Sequence, residues 1–288
     1  MASPAVPAAT LSPAVPASPL GRAALAAYTL AVRELVRFFR QRHRVFGALG
    51  QPILFWLLFG AGLGPSFALP GRTGGLTYSE YFFPGTLVLI LLFTAIFATI
   101  SIIEDRREGF LQGVLVSPAP RGAMVLGKVL GGTAIALLEA LIFLALGLAW
   151  LWLPAGPVGI VGSILLLTVI GLALTSLGFV LAWRMDSTQG FHAVMNVFLM
   201  PMWLLSGAFF PAAGGWLGWI IRLNPLTYGM AALRRLLYWN ASPETLAAVL
   251  PAGLPGLGLS LAVTALFALG MLGLAAWSAS RTTKGDLL

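Results

Sequence analysis

Residues 104–128 read EDRREGFLQGVLVSPAPRGAMVLGK, from Glu104 to Lys128. The stretch holds three acids (Glu104, Asp105, Glu108) and four bases (Arg106, Arg107, Arg121, Lys128) in a 288-residue chain that is 9% charged and 59% hydrophobic. Soluble chains carry about 25% charged residues, so this chain is a polytopic membrane protein and the cluster lies in water. Within it Phe110, Leu111, Val114 and Leu115 recur at helical spacing, with Asp105, Gly109, Gln112 and Gly113 on the other side. Ser117-Pro118-Ala119-Pro120 stops the pattern. The expectation is a cytosolic helix and turn that receives force from a partner.

Apolar runs flank this stretch on both sides. Spans are expected at about 46–63, 81–103, 123–152, 158–183, 191–210 and 254–277, each near the roughly 20 residues needed to cross a bilayer. The fold class is therefore all-α, with six transmembrane helices. Pro52 lies one turn inside the first span, and Gly60 and Gly64 form a GxxxG pair suited to close helix approach. Pro201 interrupts the fifth span.

Residues 1–20 are rich in Ala, Pro and Ser and are expected to be a disordered cytosolic tail, with a second tail at 281–288. In 21–45, Arg33, Arg37, Arg40 and Arg44 fall three or four residues apart and share one helical face. That pattern suits an amphipathic helix on the inner leaflet with its cations near anionic headgroups, or plain juxtamembrane charge that sets topology. Between spans 5 and 6, Trp216, Trp219, Tyr228, Tyr238 and Trp239 mingle with Arg222, Arg234 and Arg235. The apolar pieces there are too short to span. They suit helices that enter the outer leaflet and return, or an external loop with surface helices.

Charge placement orients the chain. With both termini inside, 13 of the 17 Lys and Arg fall in cytosolic segments, and Arg72, Arg222, Arg234 and Arg235 lie outside. The net charge of +8 thus reflects topology, and nucleic acid is not an expected partner. The localisation expected is a bacterial or archaeal plasma membrane.

Several chemistries fit poorly. Gly122 to Lys128 matches GxxxxGK, but Val129 stands where a P-loop needs Ser or Thr, and no strand precedes it. The chain has two histidines, His43 and His192, and no cysteine. His192 and Ser206 are 14 residues apart on one predicted helix, about 21 Å along its axis. No acidic or histidine cluster suggests a metal. Glu139, near the centre of the third span, is the one intramembrane acid; it suits a proton site, a substrate contact or a structural hydrogen bond.

In its order of motifs the chain resembles the permease subunit of a type-2 ABC exporter. The likeness rests on the basic segment before span 1 and on Glu104…Glu108-Gly109…Leu115…Ser117-Pro118…Arg121…Gly127-Lys128. It rests also on Asn224-Pro225-Leu226-Thr227-Tyr228 with Leu233-Arg234, and on the six-span layout. Among relatives it looks closest to the drug-resistance, daunorubicin-type branch; exporters of polysaccharide or lipid-linked saccharide share the layout. The resemblance implies a homodimer joined to two ABC ATPase subunits, with ATP and magnesium on the ATPase and none in this chain. It implies a coupling helix built on Glu104, Arg107, Glu108, Gly109, Phe110, Leu111 and Leu115. It also implies an interface helix carrying Arg33, Arg37, Arg40 and Arg44. Substrate is then expected to pass between protomers near spans 1, 2 and 5, with Asn224, Pro225 and Tyr228 in the extracellular exit region. Membrane lipid is a further expected partner. An ATP-independent carrier using Glu139, and a non-transporting membrane anchor, are the alternatives of other classes.

Overall fold

The computed structural model describes residues 18–64, 77–117, 119–151, 153–209, 215–250 and 255–281. Most of both expected tails, the Arg72 loop and Pro118 lie outside the described residues. Among the described residues every regular element is a helix. In chain order these are α1 (Pro19–Arg40), α2 (Arg42–Leu63), α3 (Tyr78–Arg107), α4 (Phe110–Val116), α5 (Arg121–Trp150) and α6 (Gly156–Trp183). There follow α7 (Thr188–Trp203), α8 (Gly215–Leu223), α9 (Pro225–Leu237), α10 (Pro243–Val249) and α11 (Leu257–Ser280). Six are long and apolar enough to cross a membrane: α2, α3, α5, α6, α7 with its continuation to Ala208, and α11. Their bounds lie within four residues of the expected spans.

α3 is the axis of the bundle. It is apolar on every side, which in a helix means burial on every side. Of its most apolar window 89% is buried, against 11% for α2 and 22% for α11, which present leucines outward. A capping box starts α3: the Glu80 amide donates to Thr77 Oγ1 at 3.3 Å and the Thr77 amide to Glu80 Oε2 at 2.7 Å.

The expected single helix over 21–45 is two helices. α1 stops at Gln41 (φ −98°, ψ 76°), and Arg44 belongs to the first span. Packing explains a break that no Gly or Pro marks. Phe38 of α1 and Ala48 of α2 share one buried cluster with Ile135 of α5. A straight helix would hold residues ten apart about 15 Å from each other. α1 also packs lengthwise on α5 rather than standing free. A Cβ on Gly127 would lie 2.7 Å from the Ala27 carbonyl oxygen and from Leu30 Cβ, and one on Gly131 would lie 2.9 Å from Glu34 Cβ. In the expected GxxxG pair Gly60 does meet a neighbour, Ser79, while among the described residues nothing lies within 4 Å of a Cβ on Gly64.

At the other end of the bundle α7 contains Pro201 and loosens into a π turn over Leu204–Ala208, with Gly207 at φ 81°. Carbonyls released from the α-helical ladder need donors inside a membrane. Asn224 Nδ2 donates to the Met202 carbonyl at 2.6 Å, and Arg234 Nη2 to the Gly207 carbonyl at 2.7 Å. α9 is 13 residues long, about 20 Å, too short to cross. It is nevertheless buried over Met230–Leu233.

Gly131→Leu is expected to cost about 2 kcal/mol through overpacking of the α1–α5 seam. Gly270→Leu, at a position with open space around it, is expected to cost little or nothing. Thermal melting in mild detergent checks both; equal melting points would argue against a tight seam.

Candidate functional site

The last turn of α3 presents Glu104, Asp105, Arg106 and Arg107 in sequence, so these side chains point in several directions around the helix. Glu104 and Asp105 turn to α1 and α2. Asp105 is 0% exposed and takes a two-pronged bond from Arg33 (3.0 and 2.7 Å) and another from Arg37 at 2.6 Å. Lys128 of α5 also donates to Asp105, and to Glu34 of α1 at 2.7 Å and Ser101 Oγ at 3.2 Å. Glu104 accepts from Arg37 at 2.8 Å and from Arg44. Glu34 accepts from Arg33 at 3.1 Å, and Glu108 lies 3.7 Å from Arg37. Arg33, Arg37, Arg44 and Lys128 thus meet Glu34, Glu104, Asp105 and Glu108, four charges against four. Burial alone would lower the Arg33 pKa, but the hydrogen bonds and charge of Asp105, with the charge of Glu34, hold it above its ordinary value.

Arg106 and Arg107 turn the opposite way. Arg106 donates to the Met185 carbonyl at 3.3 Å and to Asp186 Oδ1 at 3.2 Å, and Arg107 Nε to the Asp186 carbonyl at 3.0 Å. The α6–α7 turn is thereby tied to the same end of α3.

α4 hangs from this anchored end. Gly109, at φ 78°, makes the turn into it, a conformation that costs a residue with a Cβ about 1 kcal/mol. The Arg33 guanidinium lies 3.7 Å from the centre of the Phe110 ring, a cation–π contact joining α1 to the first residue of α4. Gln112 Nε2 donates to the Arg106 carbonyl at 3.3 Å, which also accepts from the Gly109 amide at 3.3 Å, so side chain and backbone together close the end of α3. Leu111 is buried against the bundle, and Leu115 is partly buried. The exposed side of α4 and its approach consists of Arg107, Glu108, Gly109, Gly113 and Val116.

The residues picked out from the sequence thus separate. Arg33 meets Asp105 and Glu34, Arg37 meets Glu104, Asp105 and Glu108, and Arg44 meets Glu104, so these arginines face carboxylates rather than lipid headgroups. Arg40 is exposed and outside the cluster. Leu111 faces inward and is not available to a partner in this arrangement. Gly127 and Lys128, from the P-loop-like match, are occupied by the α1 seam and the ion cluster. Three members were not picked out as site residues, Asp105, Glu34 and Lys128. One signal was available for Glu34. It is the lone acid in an arginine-rich helix, as Lys128 is a lone cation inside an apolar run, and such isolated opposite charges seek each other.

Farther along, Glu139 is buried between α5 and α3 and accepts a bond from the Thr94 hydroxyl. Asn224 caps α9, accepting from the Leu226 amide at 3.0 Å, with Pro225 in the first turn. Tyr228 donates to the Arg222 carbonyl at 2.9 Å. Arg234, counted from the sequence among the cations on the outer side, is 1% exposed and lies 4.1 Å from the Tyr81 ring centre.

Six spans, with α3 the most buried of them and a short helix slung from its charged end, define a helical multi-pass membrane protein. The chain belongs to the ABC-2 type transporter family, whose model matches residues 26–238. That range runs from α1 through α9 and includes the whole ion cluster. A nodulation protein J of Rhizobium leguminosarum bv. trifolii is 31% identical over 179 residues, 58% of this chain and 63% of that one. A transport permease of Cyanophora paradoxa is 26% identical over 221 residues, 75% of this chain and 74% of that one. A daunorubicin resistance ABC transporter permease protein of Streptomyces coeruleorubidus is 24% identical over 195 residues, 66% and 67% respectively. The chain is a transmembrane permease subunit of an ABC transport system.

Asp105→Asn is expected to destabilise the protein by about 3 kcal/mol, because it leaves three cations facing one fewer charge in a buried site. Glu108→Gln, at a carboxylate 63% exposed, is expected to cost under about 1 kcal/mol. Melting of the two variants in one detergent decides; a smaller loss for Asp105→Asn than for Glu108→Gln would contradict the hub role of Asp105.

Proposed function

We propose that this permease exports a hydrophobic or amphipathic, drug-like or lipid-like compound, working as a homodimer with a separate ABC ATPase that binds ATP and magnesium. The observation that carries this reading is the placing of α4. It is a short helix with an exposed rim, attached through Gly109 to the most deeply buried helix of the bundle. A partner pressing on that rim moves α3 directly. The Arg33–Phe110 contact and the Asp105 cluster bring α1, α2 and α5 along with it. α4 acts as the coupling helix, with Arg107, Glu108, Gly113 and Val116 meeting the ATPase, Phe110 and Leu115 at its edge, and Leu111 fastening it to the bundle.

The end of the bundle bearing the cluster faces the cytosol, as the 13 of 17 cations placed there by sequence favour, in a bacterial or archaeal plasma membrane. α8 and α9 form the re-entrant pair of the outer leaflet, held by Asn224 and Arg234; Asn224, Pro225 and Tyr228 set the turn between them. The drug-like substrate class is supported by the likeness to the daunorubicin resistance permease of Streptomyces coeruleorubidus.

Purification of the tagged protein from gently solubilised membranes is expected to bring down a stoichiometric ATPase. Val116→Asp, on the exposed rim, is expected to cut its recovery roughly tenfold, the loss of one well-packed apolar contact, with membrane insertion unchanged. Recovery of the permease alone from several detergents, or full recovery with Val116→Asp, would speak against this reading.

A further inference from the structure

Arg121 is the first residue of α5 and stands five positions after Val116, the last of α4. Five residues of chain reach at most about 18 Å. Pro120, at φ −62°, leads straight into Arg121 as the N-cap of α5. The side chain of Arg121 reaches the end of a different span. Its Nη1 donates to the carbonyls of Ala279 and Ser280, in the last turn of α11, at 3.3 Å each. The last four carbonyls of a helix have no partner within it and carry the negative end of its dipole. In α11 the Trp277 carbonyl accepts from Ser280 Oγ at 2.7 Å, and Arg121 takes those of Ala279 and Ser280.

α11 is built to pass on what it receives there. Ser260, Thr264, Ala268, Ala275 and Ala279 are buried and recur at intervals of four or seven, so they share one side of the helix. All five are small, which lets α11 lie close against the bundle from one end to the other. The opposite side, with Leu259, Leu266, Leu269 and Leu274, is exposed. Near its outer end α11 meets α9: a Cβ on Gly229 would lie 3.6 Å from Thr264 Oγ1. α9 in turn holds the Gly207 carbonyl through Arg234 at 2.7 Å. A continuous path of contacts therefore runs from the end of α4 through Arg121, α11 and α9 to the loosened turn of α7. It does not pass through Asp105.

We propose that Arg121 is a positioning residue of the coupling machinery: it hitches α11 to the far end of α4, so that movement of α4 reaches the outer mouth by a second route beside α3. This rests on α4 being the coupling helix. α4 is then held at both ends, by Gly109 at α3 and by Arg121 at α11. A lever held at one end only pivots, whereas one held at both ends shifts the two rods together. A plain helix cap would act through its charge alone, and Arg281 supplies the comparison. It is an exposed cation at the same end of α11, 4.0 Å from the Trp277 ring centre, and it belongs to α11's own chain end rather than to α5.

The chain has no cysteine, so one introduced cysteine carries one probe. Leu259→Cys on α11 and Leu58→Cys on α2, both at exposed positions, are labelled separately with an environment-sensitive bimane in the permease purified with its ATPase. Emission is compared without nucleotide and with ATP and magnesium. Both positions are expected to respond in the otherwise unchanged protein. Arg121→Gln is expected to cut the response at position 259 roughly threefold, within the range by which single residues along a coupling network act, and to leave the response at position 58 as it was. Arg121→Lys, which keeps the charge and the donors, and Arg281→Gln are expected to respond as wild type at both. An undiminished response at 259 with Arg121→Gln, an equal loss with Arg281→Gln, or a parallel loss at 259 and 58 would overturn the hitch while leaving α4 as the coupling helix. No response at either position in the wild-type complex would overturn the coupling role of α4, and the hitch with it.

Discussion

Asp105 is a single carboxylate that receives Arg33, Arg37 and Lys128 with almost no access to water. Stripping water from an ion of that size costs several kcal/mol, recovered only when every partner is in place and well oriented. That requirement sets the arrangement of α1 and α5 about the end of α3, and Arg44 of α2 joins through Glu104. Each of the three cations on Asp105 also reaches a second acceptor: Glu34 for Arg33 and Lys128, Glu104 for Arg37. Removing Asp105 therefore leaves all three cations short of a partner. Such a cluster adds little net stability against an apolar replacement, but it specifies one geometry. In this permease the specified geometry includes α4, since Arg33 rests on Phe110 and Asp105 stands four residues before Gly109.

The same helix is tied at its opposite end by a different device. There the polar demand comes from backbone rather than from side chains. Pro201 and the π turn after it free carbonyls within the bundle, and Arg234 and Asn224 answer them. Arg234 reaches the Gly207, Val249 and Tyr81 carbonyls as well as the Tyr81 ring, so one residue joins α9, α10, α3 and the end of α7. α3 is thus a stiff rod, buried along its length and fixed at both ends. A displacement applied at α4 cannot be absorbed by slack in α3 and must pass to its neighbours. In the proposed mechanism this carries a cytosolic push to the outer mouth.

What the sequence made legible follows from the physics of each feature. Spans read well because apolar length is a property of the run itself, and the helical spacing of Phe110, Leu111, Val114 and Leu115 read well because it is local; Gly109, read as part of the polar side of that helix, instead makes the turn into it. The cation face of residues 33–44 was also visible as spacing. Spacing shows that Arg33 and Arg37 share a side, but not that the side meets Asp105 across 72 and 68 positions of chain. The break at Gln41 has no Gly or Pro to announce it; it arises because Phe38 and Ala48 both seek the surface around Ile135. Asp105 was passed over because it looked like one charge among several in water, while the structure places it at the centre of them. Arg234 was counted only as an outer-side cation: a cation in a short aromatic segment carries no local sign of the carbonyls around it.

The central claim, that opposite charges on separate helices lock the bundle end together, is tested most directly by a double-mutant cycle on Glu34 and Lys128. These residues are 94 positions apart, and both side chains are 4% exposed. The melting stabilities of Glu34→Gln, Lys128→Gln and the combined protein are compared with wild type in one detergent. A locked pair predicts that the combined loss falls short of the summed single losses by about 1 kcal/mol or more, because the second change no longer strands a charge. Losses that simply add would contradict it, and the cluster would then be no more than a coincidence of neighbouring charges.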